Sequence, residues 1–325
     1  MNIKIMGTGS ALPALRVTND DLSKIMETSD EWIASRTGIR ARHLAVEETT
    51  TSLTVDAATQ ALKEANVTAE DIDIIIAATI SPDKIFPGLA CEVQSAIGAK
   101  NAVAFDVSAA CAGFIFSLHT AAMYLQTGMY KHALVIGAEV LSKMMDWNDR
   151  STCVLFGDGA GAAVVGVDTF KNSESDILGM VQYSDGAKGE VLTCDNRSVN
   201  HPYKKNAANL SYTYMNGQEV YKFAVRTVPE SIMQAVEKAG WTIDEVDYFI
   251  LHQANYRIIE AVAKRLKQNI EKFPTNIAET GNISAATVPI LLDKVNKEGM
   301  IKRGDKIILA GFGAGLTWGA TALIW

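Results

Sequence analysis

Residues 61–81, "ALKEANVTAEDIDIIIAATIS", and residues 235–255, "AVEKAGWTIDEVDYFILHQAN", follow one plan. Each is typical of a helix end, a turn with threonine at the N-cap of a short acidic stretch, and a buried strand. The offset between them is 174 residues, and the same offset places "HALVIGAEV" at 132–140 over "KIILAGFGA" at 306–314. Two pairs of segments at one offset predict a duplicated α/β fold with halves over residues 1–170 and 175–325, each a sheet with a buried helix.

Length and composition exclude several classes of protein. The chain has 325 residues, 48% of them hydrophobic, which suffices for one large domain or two packed subdomains. Its net charge of −7 argues against nucleic acid as a partner, because phosphates call for a basic surface. The N-terminal residues lack a signal-peptide core, and no segment approaches about 18 uninterrupted apolar residues. We therefore expect a cytoplasmic protein that does not enter a membrane.

Cysteine and histidine usage argues against disulfides and metals. The four cysteines are too few and too scattered for a disulfide scaffold or a CxxC metal site, so we expect reduced thiols. The five histidines never occur at ligand spacing from one another or from a cysteine. The sequence therefore predicts no bound metal.

Several local elements fit the duplicated plan. Thr28 and Glu31 have capping-box spacing for a helix that stops at Gly38. Residues 112–127 have apolar or small side chains on almost every face, which predicts a central buried helix. Residues 195–211 form the longest polar stretch without periodicity, and we interpret them as a surface loop, with a lid as one form of it.

Three residues are candidates for chemistry. Cys111, in "DVSAACAGF", stands at a predicted helix N-terminus, where the dipole favours a thiolate, although a small buried core residue fits the same position. His252 ends a predicted strand, a place that commonly faces the site in α/β folds; a structural histidine is the alternative. Asn282 lies in a small-residue turn before an apolar helix, where an N-cap is the alternative.

The internal repeat relates these candidates. Cys111 opens the buried helix of the first half, and His252 ends the repeated strand of the second, so pseudo-twofold packing allows both to face one cleft. A cysteine, a histidine and an asparagine in one cleft suit thioester chemistry. The thiolate would be the nucleophile, and the two neutral side chains would donate hydrogen bonds to developing enolate or carbonyl charge.

Six motifs together closely resemble one family, the β-ketoacyl-acyl carrier protein synthases III, which initiate bacterial fatty acid synthesis. In this chain they read "DEWIASRTGIR", "DVSAACAGF", "FGDGAGAAV", "LHQAN", "GNISAAT" and "GFGAGLTWG". The likeness runs from the first strand to the last tryptophan, with the motifs in the family's order. It implies a thiolase-like fold, with two duplicated βαβαβαββ halves in five α-β-α-β-α layers.

The resemblance also implies a reaction. Cys111 would take a short acyl group, acetyl being the expected one, from acyl-CoA, and malonyl-acyl carrier protein would then lose carbon dioxide. The enolate would attack the acyl-cysteine and give 3-oxoacyl-carrier protein, with His252 and Asn282 stabilising the enolate oxygen. The oxyanion hole would use the backbone N–H groups of Cys111 and Ala314, a position that is often glycine in the family. CoA thioesters would be substrates, and no cofactor is implied.

The family's binding residues carry over position by position. Trp32 and Arg150 would sandwich the adenine of CoA, although a core tryptophan and a solvated arginine are the plain alternatives. The CoA-binding residues would be Thr28, Trp32, Arg36, Thr37, Arg150, Gly217, Ala254 and Asn255. Docking of the acidic carrier protein would use Gln253, Ala254, Asn255, Tyr256, Arg257, Lys222, Lys264 and Arg265.

One helix face supports the docking assignment. Arg257 and Lys264 lie within about 20° of each other around the helix, apart from an apolar stripe that begins at Ile258. A solvated helix face is the alternative. Phe86, in "KIFPGLA", matches a family phenylalanine that closes the acyl pocket of the partner subunit. This implies a homodimer and favours a short primer.

Competing functions differ from this one at named positions. A biosynthetic thiolase would need a second cysteine in "GFGAG", and a hydroxymethylglutaryl-CoA-synthase-like enzyme would need a glutamate base near Cys111, which the adjacent sequence lacks. A specialised acyltransferase of secondary metabolism and a non-catalytic module that binds CoA or carrier protein are the remaining alternatives. The intact Cys111, His252 and Asn282 argue against both.

Overall fold

The computed structural model describes residues 2–168, 176–196, 202–203 and 211–325. Most of the stretch 195–211, for which we predict a surface loop or lid, lies outside the described residues, as does the predicted junction of the two halves between residues 170 and 175.

Strands and helices alternate through most of the chain. The strands are β1 Asn2–Ala11, β2 Leu15–Thr18, β3 Ala41–Leu44, β4 Ile74–Ala78, β5 Val103–Val107, β6 His132–Val140, β7 Asp158–Asp168, β8 Asp176–Ser184, β9 Leu192–Thr193, β10 Tyr214–Met215, β11 Tyr248–Leu251, β12 Lys306–Gly313 and β13 Thr317–Ile324. The helices are α1 Asn19–Leu22, α2 Asp30–Thr37, α3 Thr50–Ala65, α4 Leu89–Ile97, α5 Gly113–Gln126, α6 Gly217–Lys238, α7 Tyr256–Leu266, α8 Ile277–Thr280 and α9 Thr287–Lys297.

Two mixed sheets lie on either side of a central helical layer. The first has the order β1-β7-β6-β4-β5 and the second the order β11-β12-β13-β8. Helices α5 and α9 share one apolar core with the inner faces of both sheets. Helices α3 and α4 cover the outer face of the first sheet, and α6 and α7 cover that of the second. The layers are therefore α-β-α-β-α, as the family resemblance implies.

The apolar patterns explain the positions of these helices. In α5, Phe114, Ile115 and Leu118 are all buried, because this helix meets a sheet on each side. In α7 the predicted stripe from Ile258 to Leu266 is buried, and Arg257 and Lys264 are exposed. Burial of this stripe against the sheet fixes which face of α7 meets solvent.

The offset of 174 residues relates most elements of the two sheets. It places β1 on β8, β4 on β11, β6 on β12 and α5 on α9. The second half differs at one strand: between α7 and α9 the described chain has no counterpart of β5. It forms the short helix α8 and a single bridge between Phe156 and Asn282. That bridge joins the stretch to the first half.

The start of α2 differs from the sequence prediction by one residue. The N-cap is Ser29, whose Oγ accepts a hydrogen bond from the Trp32 N–H at 3.1 Å, so the predicted capping box of Thr28 and Glu31 is wrong. The predicted end is confirmed, since Gly38 adopts a left-handed φ of 81° at the C-cap.

Candidate active site

Cys111 lies in a tight turn immediately before α5. The turn, Ala110–Ala112, is a 3₁₀ helix, and Ala110 adopts φ 44°, which is unusual for a residue with a side chain. Its counterpart at the repeat offset, Ser284, adopts φ 46° in the turn before α9. The two buried turns therefore share the same strained backbone conformation.

Each turn packs against a glycine of the other half. A Cβ on Gly313 of β12 would lie 2.8 Å from both the Cβ and the backbone N of Cys111. A Cβ on Gly137 of β6 would lie 2.2 Å from the carbonyl oxygen of Ala285, the counterpart of Cys111. Glycine is required where backbones approach this closely, so the strand of one half holds the turn of the other.

A cavity of about 860 Å³ opens onto the turn. Cys111, His252 and Asn282 all line it, together with Phe312 and Ala314. The structure thus brings together the three residues that the sequence singles out, from different parts of the chain. A cavity of this size with few convergent polar groups is typical of a ligand site.

The Cys111 thiol is protonated in the unliganded site. Burial raises its pKa to about 12, the nearby Glu139 charge raises it too, and the Ser284 side chain lowers it. The helix N-terminus by itself favours a thiolate, but desolvation of the charged form has the larger effect on this thiol. The thiol has to lose its proton during the reaction.

His252 follows the last residue of β11, is 2% exposed, and faces Phe312 edge-on at 5.1 Å. Burial lowers its pKa to about 3, so the imidazole is neutral at physiological pH. Its Nδ1 lies 2.6 Å from the Thr287 Oγ1, and that hydroxyl also lies 3.0 Å from the carbonyl oxygen of Ser284. Thr287, which the sequence prediction missed, therefore governs the tautomer of His252.

The backbone fixes the orientation of the Asn282 amide. Its Oδ1 accepts a hydrogen bond from the Ser284 N–H at 2.8 Å. The Asn282 backbone is held on both sides, since its N–H donates to Leu155 and its carbonyl accepts from the Gly157 N–H. The side-chain NH₂ of Asn282, which lines the cavity, is thereby left to donate to a ligand.

A buried carboxylate lies close to the cysteine. Glu139, at the end of β6, is 0% exposed, and its Oε2 accepts from the Ser81 Oγ at 2.5 Å and from the Ile80 N–H at 3.1 Å. Burial raises its pKa to about 7. Its other oxygen, Oε1, has no hydrogen-bond partner. The sequence prediction missed Glu139, which lies 28 positions from Cys111 along the chain.

The turn after β12 accommodates alanine at position 314. Ala314 does not have a left-handed φ, so the replacement of the family's frequent glycine introduces no backbone strain there. The Thr317 Oγ1 lies 2.9 Å from the carbonyl oxygens of both Ala109 and Ala314. The turn that carries Ala314 is thus linked to the turn that carries Cys111.

The residues predicted to bind CoA fall into two groups. Four line the cavity, namely Arg36, Gly217, Ala254 and Asn255. Thr28, Trp32, Thr37 and Arg150 do not. The Thr37 hydroxyl is buried and bonded within α2, and the Thr28 hydroxyl is buried without a partner.

The Trp32 ring contacts one arginine from each group. The guanidinium carbon of Arg36 is 4.8 Å from its ring centroid, and that of Arg150 is 5.3 Å away. Arg150 also donates to the Glu27 carbonyl. Because Arg150 already contacts the ring, an adenine stacked between them would have to displace it.

The predicted docking surface is mostly exposed. Arg257, Lys264, Arg265 and Lys222 are exposed, and Arg265 is tied to α6 by the Glu230 carboxylate at 3.4 Å. Gln253 is a correction: it is 0% exposed, and its amide is bonded to the Leu251 carbonyl and the Asn276 N–H, so it cannot contact a protein partner.

The other predicted docking residues lie at the start of α7. Ala254, Asn255 and Tyr256 are only half-buried, and the Asn255 side chain caps the helix. Arg226, four residues after Lys222 on α6, is exposed and was missed by the sequence prediction. Exposed cations therefore lie on both α6 and α7, beside the cavity.

Phe86 lies outside the Cys111 cavity. It is 84% exposed and lines an adjoining cavity of about 670 Å³, which shares Ile80, Met144, Cys194 and Asn196 with the larger one. Within a single chain it therefore does not close the acyl site.

All four cysteines are free thiols. In the ranges that the structure describes, no group of three or more histidine, cysteine or acidic side chains is arranged to hold a metal. No helix in the same ranges combines the length and the apolar character needed to cross a bilayer.

Two family profiles match this chain. One describes 3-oxoacyl-[acyl-carrier-protein] synthase III and matches residues 105–186, and the other describes the C-terminal part of that enzyme and matches residues 236–325. The β-ketoacyl-[acyl-carrier-protein] synthase III of Oceanobacillus iheyensis is 51% identical over 100% of this chain and 99% of the relative. The chain belongs to the 3-oxoacyl-[acyl-carrier-protein] synthase III family.

Other synthase III proteins are similar to this chain over its whole length. That of Clostridium acetobutylicum is 49% identical over 100% of this chain and 99% of its own length. The crystal structure of the synthase III from Aquifex aeolicus superposes with a TM-score of 0.93 at 48% identity, covering 99% of this chain and all of that one. The predicted thiolase-like fold is thereby confirmed.

Proposed function

We propose that this protein is a condensing acyltransferase that joins an acyl group from acyl-CoA to malonyl-acyl carrier protein, giving 3-oxoacyl-carrier protein, CoA and carbon dioxide. Family membership over the whole chain supports this reaction, which initiates fatty acid synthesis. The observation that carries the assignment of roles is the meeting of Cys111, His252 and Asn282 on one cavity.

In the first step, Cys111 attacks the acyl-CoA carbonyl and CoA leaves. The negative oxygen that develops would be held by the backbone N–H groups of Cys111 and Ala314, both of which line the cavity. Donors that are fixed before the reaction cost no reorganisation when the charge appears.

In the second step, malonyl-carrier protein loses carbon dioxide and leaves an enolate. The low pKa of His252 and the fixed amide of Asn282 support two neutral N–H donors for that oxygen. A neutral imidazole stabilises the enolate without protonating it, so the carbanion is free to attack the acyl-cysteine. CoA thioesters are substrates in this proposal, and neither a metal nor another cofactor takes part.

Substrate binding would use the mouth of the cavity. We assign the pantetheine path to Gly217, Ala254 and Asn255, and the nucleotide end to the Trp32 region, where Arg150 moves aside for the adenine. Thr28 and Thr37 would act only by holding α2 in place. The free thiols support a reducing compartment, and we propose that the enzyme works in the cytoplasm.

A homodimer accounts for Phe86. An exposed phenylalanine next to Ile85, which is 62% exposed, supports burial against a second copy of the chain. Closing the acyl cavity from the partner would limit its depth and favour acetyl as primer. A sedimentation mass equal to one 35.1 kDa chain would contradict the dimer.

Intact mass after incubation with acetyl-CoA tests the nucleophile. The wild type should gain one acetyl group, Cys111→Ala should gain none, and Cys153→Ala, which alters another buried cysteine, should react as the wild type does. An adduct that persists in Cys111→Ala would refute the assignment. Replacing acetyl-CoA with branched and longer acyl-CoAs in the same assay measures primer choice.

Carrier-protein docking has a separate test. Arg257→Glu and Lys264→Glu should each raise the KM for malonyl-carrier protein roughly tenfold, because the carrier is acidic. Acylation by acetyl-CoA should stay within about threefold, since docking acts in the second step alone. Lys100→Glu, on an exposed lysine that does not line the cavity, is the matched control. Equal losses in both steps would contradict a docking role.

Neither alternative function is favoured. The relatives that match the whole chain at about half identity are synthases III, and the three candidate catalytic residues are intact. A specialised acyltransferase of secondary metabolism would form an acyl-cysteine without decarboxylating malonyl-carrier protein. A binding module would form no adduct at all.

A further inference from the structure

We propose that Arg42 is a positioning residue for Asn282, and that its buried guanidinium fixes the place from which the Asn282 amide donates to the enolate. This inference rests on the proposed function, in which Asn282 stabilises the enolate oxygen of malonyl-carrier protein. Arg42 belongs to β3 and does not line the cavity, so it acts on the reaction only through the main chain that holds Asn282.

Arg42 is a buried cation without an acidic partner. Its side chain is fully buried, and no carboxylate among the described residues lies within ion-pair distance of its guanidinium. Burial lowers its pKa to about 10, so the group still carries its charge at neutral pH. Burying a charge without an ion pair is costly, which indicates that this guanidinium makes bonds that a neutral side chain would not make.

The guanidinium joins three segments that are distant along the chain. Its Nη1 donates to the Asn19 Oδ1 at 2.8 Å and to the Val17 carbonyl at 3.3 Å, and its Nη2 donates to the Val154 carbonyl at 2.6 Å. Val17 lies in β2, Asn19 begins α1, and Val154 lies in the segment before β7. One planar fork therefore ties the segment before β7 to the N-terminal elements.

The segment before β7 is the one that holds the Asn282 main chain. The Leu155 carbonyl accepts from the Asn282 N–H at 2.9 Å, and the Gly157 N–H donates to the Asn282 carbonyl at 3.0 Å. Val154, whose carbonyl is held by Arg42, directly precedes Leu155. A shift of Val154 would therefore displace both hydrogen bonds on the Asn282 main chain.

The aliphatic part of Arg42 packs against the same two segments. A Cβ on Gly157 would lie 3.3 Å from the Arg42 Cβ, and a Cβ on Gly281 would lie 3.4 Å from it. Gly281, which directly precedes Asn282, adopts a φ of 61°. The stem of Arg42 thus lies against the turn of Asn282, and its guanidinium holds the segment to which that turn is bonded.

The acceptor on Asn19 is oriented for a cation. Asn19 is buried, and its Nδ2 donates to the Asp30 Oδ1 at 2.9 Å and to the Ile39 carbonyl at 2.7 Å. Both amide protons are thereby used, and the Oδ1 faces Arg42. A side chain at position 42 without a donor would leave this oxygen and the Val154 carbonyl unpaired.

The position of Asn282 matters more in the second step than in the first. In the proposed reaction His252 and Asn282 donate to one oxygen, and a displacement of about 1 Å at such a site costs roughly 100-fold in rate. The first step uses Cys111, whose turn packs against Gly313 of β12 instead. Loss of the Arg42 guanidinium should therefore slow decarboxylation and spare acylation.

Arg42→Met removes the guanidinium and keeps an unbranched stem. The full-length enzyme is first acetylated on Cys111, and release of carbon dioxide from carboxyl-labelled malonyl-carrier protein is then followed in a single turnover. The maximal rate should fall about 100-fold. The carrier concentration that gives half of this rate should stay within about twofold, because Arg42 does not line the cavity. Acetylation of Cys111 should stay within about threefold.

A double-mutant cycle with Asn282→Ala separates positioning from general support of the fold. If Arg42 acts through the Asn282 amide, Arg42→Met should slow decarboxylation less than about threefold in the Asn282→Ala background. A merely structural residue would slow it by the same factor in both backgrounds.

Two further variants complete the design. Arg42→Lys keeps the charge but offers one nitrogen instead of a fork, so decarboxylation should fall about tenfold, less than in Arg42→Met. Arg303→Met is the matched control, since it removes another guanidinium that donates to a main-chain carbonyl, that of Ile5 at 2.9 Å, away from the cavity. Both steps should stay within about twofold in this control.

The outcomes separate this inference from the proposed function. Equal losses in both steps, equal factors in both backgrounds, or wild-type decarboxylation in both Arg42→Met and Arg42→Lys would overturn the positioning role and leave the proposed function intact. A wild type that releases no carbon dioxide from malonyl-carrier protein would overturn the proposed function itself. If Arg42→Met does not fold, the same cycle with Arg42→Lys carries the test.

Discussion

At the scale of single residues, the Thr287 hydroxyl decides whether His252 is able to donate a hydrogen bond. The hydroxyl has one proton and two neighbouring acceptors, the His252 Nδ1 at 2.6 Å and the Ser284 carbonyl at 3.0 Å. When it donates to Nδ1, the imidazole proton is on Nε2, which is then able to donate to the enolate oxygen of the proposed reaction. When it donates to Ser284, the imidazole proton is on Nδ1, and Nε2 is only an acceptor.

We expect Thr287→Val to impair condensation more than acylation. Valine keeps the shape of threonine and removes the hydroxyl, so the His252 Nδ1 loses its hydrogen-bond partner and the tautomer of the imidazole is no longer selected. Decarboxylation of malonyl-carrier protein should fall roughly 10- to 100-fold, and the rate of acyl-cysteine formation should change by less than about threefold. Thr287→Ser, which retains the hydroxyl, should behave like the wild type. Equal losses in both half-reactions would show that Thr287 only supports packing.

At the scale of elements, the end of β12 positions Cys111, the proposed nucleophile. The strand carries glycine where it passes the Cys111 turn, and a Cβ at Gly313 would lie 2.8 Å from Cys111 backbone and side-chain atoms. The same strand leads into the turn of Ala314. One element thus sets both the position of the thiol and the proposed second oxyanion donor.

Gly313→Ala should therefore move the turn that carries Cys111. Acylation by acetyl-CoA is expected to fall at least tenfold, and overpacking should lower the free energy of unfolding by about 1–3 kcal/mol. Gly186→Ala is the matched control, because a Cβ there meets nothing within 4 Å. Intact mass follows the first effect and urea unfolding the second. Wild-type acylation in Gly313→Ala would contradict the positioning role of β12.

The sequence predicts the secondary-structure elements and motifs of this protein better than it predicts the burial and the neighbours of individual side chains. The repeat and apolar periodicity place β4, β11 and α5 correctly, because strand and helix patterns depend on neighbours within a few positions. The raised pKa of Cys111 does not follow from its position in the sequence, because desolvation depends on distant parts of the chain. Glu139 was missed for the same reason. The offset does relate Ala110 to Ser284, but only backbone angles reveal their shared strain.

At the scale of the whole molecule, three buried titratable groups make stability depend on pH with opposite signs. Burial lowers the pKa of His119 to about 4 and that of His252 to about 3. Both contribute stability that is fully present above the unfolded value near 6.5 and is lost as pH falls below it. Burial raises the pKa of Glu139 from 4.5 to about 7, so its contribution is present below pH 4.5 and is lost as pH rises through 7.

Glu139→Gln should remove the part of the pH-dependent stability that comes from ionisation of Glu139. Glutamine does not ionise, so the variant should gain stability relative to the wild type as pH rises from 4.5 to 7, by about 3 kcal/mol in all, with no further change above pH 7. Urea unfolding of both proteins at pH 4.5, 6, 7 and 8 measures the difference. His119→Gln, in turn, should reduce the loss of stability that the wild type shows as pH falls below about 6.5. It should leave the stability difference produced by Glu139→Gln unchanged. A difference between wild type and Glu139→Gln that does not vary with pH would mean that Glu139 ionises as freely in the folded protein as in the unfolded chain.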